Sequence, residues 1–387
     1  FFRRTPVKKK FPFQLIPLLC GLLLGLWLLT QASESLRSVN ANTLGFAVNS
    51  SSVDEERYEG RLFSGFSTSL EELCAGARQW QAEGYRVALW MGNSQLYSIV
   101  NYKPGEHLAV HYANAFAAKV GAKVRFVQLA EPNANLYELL TLYLACRQHG
   151  FIPDYLILGI VYKNLNDRGL RPTVAAWINT FSPGDLEALG DAAQASAAHS
   201  ESSQGTEPKT DISPAMDKTL AIWIEGHLDA SLAASWPVFK MRDQLRASIE
   251  ASITRELASM LFAFSKNKRP VVRISPDAQA WNMQAWARLM QATDGNRTKM
   301  FVYKVPHQPG LEPFYYVRAD YDTFFTALAT ACATNHVHYA DLELLVPSQE
   351  WRGYTQFHQP DCFHFQTEGH ERLGKAVAET ILSLTDQ

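Results

Sequence analysis

Two stretches of this chain hold residue types that could do chemistry together. Near the C-terminus, Asp361-Cys-Phe-His364 sets a carboxylate three residues before an imidazole. That spacing lets the acid reach Nδ1 and leaves Nε2 free to act as a base. Far upstream, Val87-Ala-Leu-Trp-Met-Gly92-Asn-Ser94-Gln carries a serine just past an apolar run. A serine hydroxyl is a poor nucleophile until a neighbouring base takes its proton. Gly92 permits a tight turn that would expose the Ser94 hydroxyl, with the Ser94 N–H close to a developing oxyanion. Each stretch has a plainer reading: Ser94 as a turn serine capping the next helix, and Asp361 with His364 as an incidental surface pair. The setting of the second favours chemistry, because Pro360 precedes it, Gly369 opens a helix after it, and an amphipathic segment closes the chain.

The elements that must position these residues follow from hydrophobic periodicity. Arg86–Met91, Lys123–Leu129 and Asp154–Val161 are short apolar runs that read as buried strands. Leu70–Trp80, His107–Val120 and Leu136–Gln148 have helical spacing between them. Further on, 270–274, 299–304 and 336–342 read as strands, with helices over 238–264, 279–292, 321–334 and 369–383. Strands alternating with helices of this length predict an α/β fold with a parallel sheet covered on both faces. Such sheets place their sites at the carboxyl ends of strands, and Ser94 falls just past the end of one. Residues 184–217 are rich in Ala, Ser, Gly, Asp and Glu and too poor in apolar surface to order, so they read as a mobile insertion within one domain spanning 61–387.

Composition narrows the function. Of 387 residues, 47% are hydrophobic and 19% charged, and the net charge is -2. A balance of that kind fits a globular protein and gives no footprint for nucleic acid. Basic residues gather at the start, Arg3-Arg4 and Lys8-Lys9-Lys10, before a charge-free apolar run. About 20 apolar residues span a bilayer, so 1–10 reads as a cytoplasmic tail and 11–31 as a transmembrane anchor, with 32–60 a juxtamembrane linker and the rest facing outward. The competing reading is a cleaved signal peptide, whose apolar core is usually shorter. Five cysteines are too few and too scattered for a disulfide framework, and Cys146 and Cys332 sit in helical apolar patterns as buried thiols.

Two sets of side chains compete for attention. His336, His338, His358, His364 and His370 with Asp341 and Asp361 include ligand types, yet no third ligand stands at a familiar zinc spacing, so no metal is expected. Most tryptophans lie on periodic apolar faces and read as core. Trp351 and Tyr354, on the loop before Asp361, and His358 beside them are the candidates to line a substrate cleft.

Taken together, Gly92-Asn93-Ser94 after an early strand and Asp361-x-x-His364 with Gly369 before the last helix resemble the SGNH/GDSL hydrolase superfamily. The resemblance covers residues 84–385 and implies a three-layer α/β/α fold with a flavodoxin-like parallel sheet. It implies a Ser94-His364-Asp361 triad and no cofactor. Asn93 stands where the commoner motif has Asp. Family members complete the oxyanion hole with a glycine and an asparagine. The candidates here are Gly92 together with Asn164 or its rival Asn166, at a spacing that departs from the family block. A membrane anchor, an outward-facing domain and this irregular block are similar to accessory proteins of teichoic acid D-alanylation and alginate O-acetylation. That likeness implies a membrane-bound O-acyltransferase partner and a polysaccharide acceptor. The alternative is a scaffold that kept the fold and lost catalysis.

Overall fold

The computed structural model describes residues 50–52, 55–190, 271–294, 298–310, 314–351 and 363–385. All lie within the unit made of residues 46–208 and 258–387, which is described by itself. The segments expected as a membrane anchor and as a helix over 238–264 lie outside the described residues. No helix among the described residues is long and apolar enough to cross a membrane.

The chain runs β1 (Ser50–Ser52), β2 (Glu56–Tyr58), β3 (Arg61–Gly65), α1 (Leu70–Ala82), β4 (Arg86–Gly92), β5 (Ser98–Val100), α2 (Ala109–Lys119), β6 (Val124–Ala130), α3 (Leu136–Gln148) and β7 (Tyr155–Ile160). It continues with α4 (Pro172–Ala175), α5 (Pro183–Leu189), α6 (Pro276–Asp294), β8 (Lys299–Lys304), α7 (Arg318–Thr334), β9 (His338–Asp341) and α8 (Thr367–Thr385). Seven strands form one sheet in the order β2-β3-β6-β4-β7-β8-β9, parallel throughout except for the β2–β3 hairpin. Counting from β4, the order β6-β4-β7-β8-β9 is the 2-1-3-4-5 arrangement of open doubly wound sheets. β3 and β2 extend it at one edge.

The apolar runs form the middle of this sheet because both faces there are covered. Every residue of β7 is buried, as is all of β4 after Arg86. Helix α2 packs against α8 and β6, while α3 packs against α6 and α1. Helix α3 starts at Leu136 because Asn135 and Glu138 form a capping box: the Asn135 side chain accepts the Glu138 N–H at 2.9 Å and Glu138 accepts the Asn135 N–H at 3.0 Å.

The structure differs from the sequence reading at four places. Part of the stretch read as a linker is strand. Ser50–Ser52 pair antiparallel with β5, and Glu56–Tyr58 pair with β3 through a two-residue turn whose Glu59 and Gly60 both have positive φ. β3 itself, too short to stand out as an apolar run, is an interior strand. Of the stretch 270–274 read as a strand, the described residues 271–274 make no strand of the sheet; Val272 makes one isolated bridge with Tyr316. The stretch read as a mobile insertion begins with helix α5, capped by Ser182, whose hydroxyl accepts the Asp185 N–H; residues 191–217 lie outside the described residues.

Candidate active site

Ser94 and His364 meet at the carboxyl end of β4. The Ser94 Oγ lies 2.9 Å from His364 Nε2, across a sequence separation of 270 residues. β4 ends at Gly92, and the chain turns at once into a single 3-10 turn, Ser94–Leu96. Asn93 makes this turn by accepting the Gln95 N–H on its side-chain oxygen at 3.0 Å. A Cβ at 92 would sit 2.8 Å from Leu96 Cδ1, so a larger residue there would make the Leu96 side chain shift. Ser94 is half-buried and His364 is 9% exposed, so the imidazole is shielded while the serine still reaches solvent at the rim.

The strand order makes this rim a candidate site. β4 lies between β6 and β7, and the chain leaves it first to one side and then to the other. The connections that follow β4 and β7 therefore run to opposite sides, the place where open sheets of this kind leave a crevice. Asn164, 2% exposed, follows β7. Its side-chain oxygen accepts the Val161 N–H at 2.6 Å, and its Nδ2 donates to the carbonyl of Ala134, in the loop after β6. A single amide thus ties the loops on either side of the β4 end. One Nδ2 hydrogen is used in that tie, and a second remains on the same atom. Asn166 is directed elsewhere: its Nδ2 donates to its neighbour Asp167 at 2.9 Å. Of the two rivals, Asn164 is the one built into the loops at this crevice.

His364 is carried by a short segment fixed residue by residue. Gln95 Nε2 donates to Phe363 O at 2.9 Å and to Pro306 O at 2.9 Å. The Val100 N–H donates to Phe365 O at 3.0 Å, and the Gln366 N–H to Glu350 O at 2.9 Å. Helix α8 begins directly after, where Thr367 Oγ1 meets the Tyr112 hydroxyl of α2 at 2.9 Å. His370 is wholly buried and bonds through Nε2 to Ser98 O at 3.1 Å, and burial pushes its pKa down to about 3. It is a neutral structural histidine that pins α8 to β5, and its Nε2 must carry the proton.

The remaining expected site residues divide. Asp361, Tyr354 and His358 lie outside the described residues. Trp351 does not line a cleft: it is 1% exposed, donates from Nε1 to Val346 O at 3.0 Å, and packs edge-on against Phe365. An indole whose N–H finds a carbonyl partner is stable in the core, which corrects the expectation drawn from its loop position. Two residues went unnoticed in the sequence. Gln95 had one signal, its place next to Ser94. His307 follows β8 and packs near Phe363, with ring centroids 5.9 Å apart and its pKa held down to about 4 by burial.

A charged cluster holds the loop after β6. Arg171 donates to Glu138 from Nε at 2.7 Å and from Nη2 at 2.8 Å, and to Glu131 from Nη1 at 3.2 Å. Glu131 in turn accepts the Ser67 N–H at 3.3 Å, and its own N–H donates to Gly92 O at 3.0 Å. This network holds the β6 side of the crevice.

No family model matches this chain, and no curated protein matches it. Among solved structures, a Bacteroides fragilis protein proposed to be an acylhydrolase aligns with 9% identity and a TM-score of 0.34, covering 81% of this chain and 97% of the other. A similarity of that size carries no weight for fold or function, so the case for a site rests on Ser94, His364 and the loops that hold them.

Proposed function

We propose that this chain is a serine-dependent acyl-transfer enzyme with an SGNH-like, three-layer α/β/α catalytic domain. The observation that carries the reading is the 2.9 Å contact between Ser94 Oγ and His364 Nε2 at the carboxyl end of β4. It is supported by the 2-1-3-4-5 strand order, by helix pairs grouped as α2 with α8 and α3 with α6, and by the buried asparagine beside the crevice.

In this mechanism His364 Nε2 accepts the Ser94 proton as Oγ attacks the carbonyl carbon of an ester. The oxyanion formed is met by the Ser94 N–H, with the second Nδ2 hydrogen of Asn164 as the proposed further donor and the Gly92 turn setting the approach. Collapse of the tetrahedral species expels the alcohol, which takes the proton back from imidazolium. The acyl group, now on Ser94, passes to a second hydroxyl or to water, activated by the same imidazole. Asp361 is assigned to the His364 Nδ1 side. The reading extends to the apolar N-terminal run as an anchor, with the domain outside the membrane acting on the acyl esters of a polysaccharide beside a membrane-bound O-acyltransferase.

A fluorophosphonate probe tests the chemistry. Covalent labelling of the wild-type chain that disappears in Ser94→Ala and His364→Ala is expected. An absence of labelling in folded protein would favour a silent scaffold. Acyl release from an ester donor, measured with and without a polysaccharide acceptor, then separates transfer from hydrolysis.

A further inference from the structure

Away from the Ser94–His364 pair, a second constellation has ligand chemistry. Glu56 lies on the edge strand β2, His107 directly before helix α2, and His111 one turn further, in the first turn of that helix. One ligand atom from each lies within 4.8 Å of the others. The His107 Nδ1 stands 3.4 Å from Glu56 Oε1. The other Glu56 oxygen, Oε2, is buried and has no hydrogen-bond partner among the described residues. A buried, unpartnered carboxylate oxygen beside two imidazoles leaves a strong acceptor unused, and such an atom calls for an explanation.

We propose that Glu56, His107 and His111 form a site for a zinc-class divalent cation. Two imidazole nitrogens and one carboxylate oxygen suit a borderline ion such as zinc, whereas magnesium and calcium favour sets made of oxygen alone. Three protein ligands leave a tetrahedral ion one position for water. The rings of His107 and His111 are stacked, with centroids 3.7 Å apart and planes 5° apart. Parallel rings cannot both aim a nitrogen lone pair at one ion, so binding requires one ring to turn. His107 is free to do this, its side chain being 40% exposed. The ion would clip β2 to the start of α2, the helix that packs against α8 just after His364. It would act as a structural tie for the N-terminal edge of the sheet, with no part in the serine chemistry.

The test uses the full chain, stripped with chelator and titrated with zinc alone, by calorimetry and by competition with a chromophoric chelator. One equivalent should bind, at least 10-fold more weakly in His107→Ala and in His111→Ala, and zinc should raise the melting temperature of wild type only. If His111→Ala fails to fold, the half-exposed His107→Ala decides alone. No stoichiometric binding, or binding unchanged in His107→Ala, would overturn the site. Magnesium binding of equal strength would overturn the assignment to a zinc-class ion.

Discussion

The Gln95 side chain donates to the carbonyl of Phe363 at 2.9 Å, so the residue after Ser94 is bonded directly to the residue before His364. The same Nε2 reaches Pro306 O, also at 2.9 Å, in the loop that follows β8. Three segments remote in sequence are therefore joined at one amide. That junction ties the turn bearing the serine to the segment bearing the imidazole.

Gln95→Ala should lower kcat about 10- to 100-fold, because a misplacement of order 1 Å at a reacting pair costs about that much. KM should change little, since Gln95 bonds to the protein backbone and serves as a positioning residue. The two lost hydrogen bonds should also lower stability by about 2 kcal/mol. A denaturant melt run beside the kinetics separates the effects. A kcat that is unchanged in a folded but less stable variant would assign Gln95 to stability alone.

Helix α8 reaches its place by a close approach at Gly374. A Cβ there would lie 2.3 Å from the Ala109 carbonyl and 2.9 Å from the Tyr112 Cβ, both on α2. Gly374→Ala should destabilise the fold by about 1–3 kcal/mol or more, because neither neighbour is a flexible side-chain end. It should also reduce activity by shifting the segment that starts α8. Equilibrium unfolding against ester turnover checks both, and a variant as stable as wild type would show that α8 can slide without cost.

How much of this could be read from the residues depends on where each one's partners lie. β4 and β7 were legible because strands covered on both faces must be apolar along their whole length, and Val87-Ala-Leu-Trp-Met announces that. The α3 boundaries were legible because apolar residues keep helical spacing from Leu136 to Gln148. Ser50–Ser52 were not, since a run of serines becomes a strand only through its ladder with Ser98–Val100.

The same division runs through the site. Ser94 and His364 stood out by residue type. Gln95 did not, because its role depends on two carbonyls 211 and 268 residues away. Trp351 was misplaced for a related reason: its partner is the Val346 carbonyl, which no spacing rule marks. The Glu56, His107 and His111 cluster joins a strand to a helix start through tertiary contact, and neither segment has a ligand motif of its own.

The Arg171 fork gives a third outcome. Glu138 is nearly buried, with its side chain 3% exposed, and Arg171 is its charged partner. Arg171→Met should destabilise the fold by about 3–5 kcal/mol, because it leaves an uncompensated buried carboxylate. Arg171→Lys keeps the charge and loses the bidentate geometry, so it should recover only part of that. Chemical denaturation of the pair checks it; a methionine variant at wild-type stability would mean the network contributes nothing net.

Acid should weaken the fold through two buried histidines. Burial holds His370 down to about 3 and His307 to about 4, against an ordinary value of 6.5. Below pH 6.5 the unfolded chain binds a proton at each position that the folded chain refuses, so protonation favours unfolding and stability falls as pH falls. Each site should cost about 2 kcal/mol on going from pH 6.5 to pH 5, at 1.36 kcal/mol per unit. The loss from His307 should level off near pH 4, while that from His370 continues toward pH 3. Wild type should therefore lose stability steeply between pH 6.5 and pH 4. His370→Gln removes one titrating group and keeps a donor for Ser98 O, so its profile should be shallower by about one proton over that window. Melts from pH 8 to pH 4 measure the slopes, and equal slopes for the two proteins would show that His370 is free to charge in the folded state.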